Sequence, residues 1–375
     1  MNTAIIGAGI GGLTTALTLQ QRNINVAIYE GAPAIKPVGA GIIMANNAMQ
    51  VFQQLGIQSA IEKAGNKISR LRITDPQLHD LSVIDLHPFE AKYGVHNVAI
   101  HRGALQQILA DAVGYEHIHL SKRLSRIEKN DDFTLYFDDY TAIQANVLIG
   151  ADGIKSVVRN QLFEQSQLRN AHQYCWRGIC EMDLHERHHN APVEAWGKGK
   201  RFGFVKIGAK KVYWYALINS LSFTTHGVNL VNVFEDFHRD ILEIISNTPQ
   251  QQLIESEIID LKPITKWHGD RVCLVGDAAH ATTPNMGQGA CQAIEDAYVL
   301  GKLLDKGLSL EKTFAEYQRL RQKKARMIVD TSWRMGQLSQ LENDWGIWVR
   351  NALLKLVPSS INQKQMETVF RLATV

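Results

Sequence analysis

The chain has 375 residues, 45% of them hydrophobic and 21% charged, a composition that supports a large core and excludes wholesale disorder. Its 40 basic and 37 acidic residues leave a net charge of +3. With no Lys/Arg block, that balance argues against a nucleic-acid partner. The four cysteines, Cys175, Cys180, Cys273 and Cys291, are too few for a disulfide framework, and no zinc-type Cys/His cluster accompanies them. Reduced thiols in a cytoplasmic protein are expected. The apolar run from Thr3 to Leu19 lacks a basic leader and is broken by Gly7, Gly9, Gly11 and Gly12, so it reads as neither signal peptide nor membrane span.

In chain order, Ala4 to Ile6 reads as a buried strand, Gly7 to Gly12 as a turn, Leu13 to Gln21 as a helix and Val26 to Tyr29 as a second strand. That is the parallel βαβ pattern. A helix over Asn47 to Leu55 ends at Gly56. Short strands are expected at Leu71 to Thr74, Leu81 to Asp85 and Phe133 to Phe137, with a buried one at Val147 to Ile149. From Tyr174 to Ile218 the texture is aromatic and β-branched, which predicts antiparallel strands over Tyr174 to Cys180, Phe202 to Ile207 and Val212 to Ile218. Parallel character returns at Arg271 to Val275, followed by a helix from Gly289 to Leu304. The remainder is mainly helical, broken at Pro358. A nucleotide-binding unit is thus pieced together from 1–70, 96–165 and 265–305. Between the pieces lie sheet segments at 71–95 and 166–264, and a helical region follows at 306–375.

Gly7, Gly9 and Gly12 fit G-x-G-x-x-G between a strand and a helix. The first glycine permits the turn, the second admits a pyrophosphate and the third lets helix and strand pack closely. Free amides at the helix start stabilise the phosphates. Glu30 follows Gly12 by 18 residues at the end of the next strand, where an acid contacts ribose.

Two further runs stand in order behind this turn: Gly150-Ala151-Asp152-Gly153, and Gly276-Asp277-Ala278-Ala279-His280 continuing through Pro284, Gly287 and Gly289. Together the three resemble the fingerprints of single-component FAD-dependent aromatic hydroxylases of the p-hydroxybenzoate hydroxylase fold. Trp176-Arg177-Gly178 and the stretch from Ala195 to Phe204 are similar to the subgroup containing FAD-dependent urate hydroxylase and 6-hydroxynicotinate 3-monooxygenase. The resemblance implies an α/β fold: a Rossmann-like FAD-binding domain assembled from separated segments, an inserted mainly antiparallel substrate sheet, and C-terminal helices. It implies FAD held by Gly7, Gly9, Gly12, Glu30, Arg102, Asp152 and Asp277, with the loop Pro284, Gly287, Gly289 beside the flavin ring. It also implies NADH or NADPH as co-substrate, with Asp152 near the nicotinamide. Dioxygen would be activated as a flavin C4a-hydroperoxide that hydroxylates a small, electron-rich planar ring.

Arg201 and Tyr213, twelve apart, match by spacing an arginine and a tyrosine that face substrate in the urate enzyme, and suit an anionic or hydrogen-bonding ring. Strand alternation places Arg201, Gly203 and Val205 on one face, and Tyr213, Tyr215 and Leu217 on one face of the neighbouring strand. His280 reads as a packed, hydrogen-bonded side chain, and Cys175 and Cys180 as residues on opposite faces of one strand. Trp345, Trp348, Arg350 and Lys355 form an amphipathic stretch expected to bridge domains in preference to binding a membrane. Two alternatives share parts of this pattern, an FAD-linked reductase or epoxidase of isoprenoids and a non-catalytic flavin carrier. No metal is expected, and the oligomeric state is left open.

Overall fold

The computed structural model describes residues 2–35, 40–163, 166–223 and 227–375. The segment boundary placed at 165 lies outside them. Strand β1 (Thr3–Ile6) is wholly buried, helix α1 (Ile10–Gln20) follows the glycine turn, and β2 (Val26–Tyr29) returns parallel to β1. Two strands, β3 (Arg70–Thr74) and β4 (Asp80–Asp85), leave this unit, and the chain re-enters it through α2 (Arg102–Val113), β5 (Ile118–His119) and β6 (Val147–Gly150). After α3 (Val157–Leu162) come the long strand β7 (Leu168–Glu181), β8 (Val193–Trp196), β9 (Lys200–Lys206), β10 (Lys211–Asn219) and β11 (Ile254–Leu261). The chain closes with β12 (Val272–Leu274), α4 (Gly289–Leu304), α5 (Leu310–Ser339), α6 (Asp344–Leu356) and α7 (Ser359–Phe370).

Among the described residues, β12-β6-β1-β2-β5 form a parallel sheet and β11-β7-β10-β9-β8-β3-β4 a second, larger one. The first draws on segments up to 270 residues apart in sequence, as the α/β fold assembled from separate pieces requires. The second is antiparallel except where β8 runs parallel to β3. Two of its strands, β8 and β11, were absent from the sequence-based expectation.

The two faces of the large sheet do different work. Trp176, Phe202, Phe204, Trp214, Ala216 and Ile218 pack with Phe234, Ile241 and Ile244 in a core of their own. Burying each larger apolar side chain contributes about 2–3 kcal/mol. The cross-strand pairs Arg201–Leu217, Gly203–Tyr215 and Val205–Tyr213 put the expected residues on the opposite face, which looks toward the parallel-sheet unit. Cys175 and Cys180 lie in different clusters, and all four cysteines are free and buried.

A buried charge network fixes the C-terminal helices to the crevice floor. Arg321 of α5 donates to Glu295 (2.7 Å) and Asp296 (2.8 Å) of α4, and Lys324 pairs with Glu295. Asp296 also meets His280 at 2.6 Å and accepts from the Gly276 amide. Burial alone would raise Asp296, but His280 and Arg321 overcome it and hold the carboxyl below its usual value. His280 is therefore a packed, hydrogen-bonded residue, as expected.

Helix α6 lies against β4, and buried Arg350 donates to the Ser339 carbonyl while lying over the Trp196 ring. Trp345 and Trp348 remain 75% and 67% exposed, so they are not the residues that join the domains. Among the described residues no helix is long and apolar enough to cross a membrane.

Candidate active site

Beyond β1, Gly7 turns at φ +102°, and a Cβ there would stand 2.5 Å from the Ala151 carbonyl oxygen. A Cβ on Gly12 would stand 2.0 Å from the Gly7 carbonyl oxygen. Packing demands both glycines. Gly9 differs, because an added Cβ would meet nothing within 4 Å. It precedes α1, whose first turn carries neither a side-chain cap nor an acidic residue, leaving amides and the positive helix end directed at an anion. Glu30 accepts from the Ala8 and Ala32 amides at 2.7 and 2.8 Å, and its remaining lone pairs suit a ribose diol. Gln106 of α2 ties the turn down by donating to the Ala8 carbonyl.

The second motif abuts this turn. The Asp152 carboxylate accepts from the Ser156 hydroxyl and from the Val157 and Val158 amides, at 2.5, 2.6 and 3.1 Å. It thereby fixes the start of α3 and the turn that abuts Gly7. Buried Arg159 donates to the Ile154 and Ala278 carbonyls, joining the second motif to the third.

The third motif supplies the opposite wall. Pro284–Met286 form one tight turn, Gly287 sits at φ +61° with open space about its Cβ position, and Gly289 begins α4 with no side-chain cap. Those amides are placed to stabilise negative charge, as on the pyrimidine edge of a reduced flavin. Asp277 lies beside Gly289, its Oδ1 3.8 Å from where a Cβ would be. Protein packed around it raises its pKa by lost solvation, against the pull of His280 and Arg102. Arg102 projects from the start of α2, where His101 accepts from the Gly103 amide. Pieces of chain from four distant segments thus converge, and their open glycines, uncapped helix ends and ribose-ready carboxylates fit FAD.

Over this crevice stands the face of the large sheet. Tyr213 packs against Gly41 of the FAD-side unit, where a Cβ would be 2.4 Å from its ring. Burial raises its pKa, opposed by Arg177 and Arg102. Arg201, expected to face an anionic or hydrogen-bonding ring, is 1% exposed and paired with Glu194 at 2.8 Å. Its other terminal nitrogen donates to Asn285 in the loop before α4. Glu194 also accepts from the Tyr215 hydroxyl (2.6 Å) and the Trp196 indole (2.9 Å). Sequence reasoning missed Glu194, Tyr215's bond to it, and Asn285. The two-residue step from Glu194 to Trp196 and the alternation of β9 carry the only signal that could have found them.

Residues 1–332 match the family model described as an FAD binding domain. Similar relatives include the aurachin C monooxygenase/isomerase of Stigmatella aurantiaca, 36% identical over 96% of this chain and 95% of that protein. The 2-heptyl-3-hydroxy-4(1H)-quinolone synthase of Pseudomonas aeruginosa is 29% identical over 99% and 98%. The solved Klebsiella pneumoniae HpxO, complexed with FAD and uric acid, is 26% identical over 98% and 96%, with a TM-score of 0.90. The chain belongs to the FAD-binding-domain family. It is an FAD-dependent monooxygenase that uses NADH or NADPH and hydroxylates an electron-rich aromatic or heteroaromatic ring.

Proposed function

We propose that the substrate is a planar ring of the 4(1H)-quinolone type, hydroxylated at the carbon beside the ring carbonyl. The 2-heptyl-3-hydroxy-4(1H)-quinolone for which the Pseudomonas relative is named carries its hydroxyl there. In such a ring the nitrogen lone pair feeds that carbon, giving the enamine-like nucleophile that flavin oxygenation needs. Bound FAD, reduced by NADH or NADPH, supplies one activated oxygen atom from dioxygen.

The chain's residues bind, orient and exclude water. Gly9 and the first amides of α1 would take the pyrophosphate, Glu30 the ribose and Asp277 the ribityl chain, with Arg102 alongside. Pro284 stiffens the loop whose Gly287 and Gly289 amides would stabilise negative charge on the reduced flavin, and Gly7 and Gly12 keep the turn closed. Tyr213 and Tyr215 form the aromatic wall, and Arg201 acts through the loop it holds.

The observation that carries this reading is the face bearing Tyr213 and Tyr215. Tyr213 packs against Gly41 and Tyr215 against Gly203, each where a Cβ would not fit, and Arg201 of the same face bonds Asn285 of the amide-bearing loop, which supports an aromatic wall beside that loop. Adding 2-heptyl-4(1H)-quinolone to the holoenzyme should accelerate NADH or NADPH oxidation and yield a product one oxygen heavier. Equal acceleration by urate alone, with no turnover of the quinolone, would refute it.

A further inference from the structure

Glu194, Gly203, Tyr215 and Arg177 stand in one row across β8, β9, β10 and β7, each opposite the next. The Tyr215 ring covers Gly203, where a Cβ would lie 2.1 Å from Cζ, and its hydroxyl donates to Glu194. At the Glu194 end, the Arg201 charge is consumed: one nitrogen bonds the carboxylate, another bonds Asn285, and the side chain is buried. At the other end Arg177 is only half-buried. It donates to the Ser256 hydroxyl at 3.1 Å and lies beside the Tyr213 hydroxyl. Among the described residues no carboxylate pairs with it.

A buried ion pair is nearly neutral to its surroundings, whereas a half-buried guanidinium flanked only by the neutral Ser256 and Tyr213 hydroxyls keeps its charge and donors to spare. We propose that Arg177, not Arg201, is the cation that donates to the oxygen of the bound ring. Glu194 dictates this division by neutralising Arg201 and leaving it as a strut between the sheet and the Asn285 loop. The assignment rests on the reading of this face as the ring site. It makes Arg177 a substrate-binding residue and Glu194 a specificity-determining one, since removing the carboxylate alone would add a second cation to the slot.

The test uses holoenzyme and two probes read by the flavin absorbance spectrum, chloride and 2-methyl-4(1H)-quinolone. Chloride should perturb the wild-type spectrum. Arg177→Gln should weaken both probes roughly tenfold or more, the loss of a charged hydrogen bond, and Arg177→Lys should restore chloride binding. The double variant Glu194→Gln/Arg201→Gln, which removes the whole pair, should bind chloride within about twofold of wild type. Glu194→Gln alone should bind it more tightly.

The reverse pattern, with chloride binding lost in the double variant and kept in Arg177→Gln, would overturn the assignment, as would a wild type blind to chloride. If the chloride pattern holds and the quinolone fails to bind wild type, the quinolone reading falls and Arg177 stands. If the quinolone binds wild type and Arg177→Gln equally, Arg177 falls and the quinolone reading stands.

Discussion

Two glycines three residues apart in the first turn should fail in opposite ways when each is changed to alanine. At Gly12 the new Cβ would sit 2.0 Å from the Gly7 carbonyl oxygen and 3.3 Å from the Ala151 Cβ. Backbone must move by more than about 1 Å to clear it, an overpacking cost of about 3 kcal/mol or more. At Gly9 no protein atom lies within 4 Å and φ is −70°, a conformation alanine adopts freely. The stripped protein's stability should therefore change by less than about 1 kcal/mol. The same methyl occupies the approach to the α1 amides, and losing one or two charge-assisted hydrogen bonds costs about 3 kcal/mol, roughly a hundredfold in FAD affinity. Thermal melts of flavin-free protein and FAD titration by fluorescence quenching separate the two effects. A Gly9→Ala protein binding FAD like wild type, or a Gly12→Ala protein melting like wild type, would refute the reasoning.

Other consequences are equally measurable. Arg321→Met leaves the buried Glu295 and Asp296 carboxylates with only Lys324 and His280 as partners and should cost about 3 kcal/mol in chemical denaturation, partly recovered by adding Glu295→Gln and Asp296→Asn. His188 is held down to about 3 by burial, with Arg187 and Arg72 adding to it. The unfolded chain takes up that proton near the ordinary value of 6.5 and the folded one does not. Stability is thus fully present above that value and falls as pH drops toward 3, by up to about 1 kcal/mol per unit after solvent screening. Urea melts down to about pH 4 should show this slope, and His188→Asn should flatten it. Burial raises the thiols of Cys180 and Cys291 to about 11 and about 12, and those of Cys175 and Cys273 as well. Native protein should therefore show no fast-reacting thiol with Ellman's reagent and four after denaturation.

The parts of the molecule legible in its sequence are those whose signal is local. Gly7, Gly9 and Gly12 announce a turn because backbone geometry there depends on neighbours in the chain, and helix Gly289–Leu304 emerged at its observed limits for the same reason. Strand alternation grouped Arg201 with Gly203 and Val205, and Tyr213 with Tyr215 and Leu217, while the cross-strand register puts the two sets on one face. Charge state could not be read so. Glu194 sits on a four-residue strand, and only the cross-strand register brings it to Arg201. Strand Ile254–Leu261 escaped notice because Glu255, Glu257 and Asp260 interrupt its apolar residues, and the partner of buried Asp260, Arg169, lies 91 positions away. The bonds of Asp152 to Ser156, Val157 and Val158 were not legible either, because a carboxylate beside a glycine looks the same in sequence whatever it pairs with.

If this crevice holds FAD and the large sheet presents a flat ring to it, one atom of dioxygen ends on that ring. Turnover of 2-heptyl-4(1H)-quinolone with NADH or NADPH under ¹⁸O₂, followed by mass spectrometry of the product, should then show a single heavy oxygen on the ring. A product carrying oxygen from water, or consumption of reduced nicotinamide with no oxygen reaching the ring, would contradict that expectation.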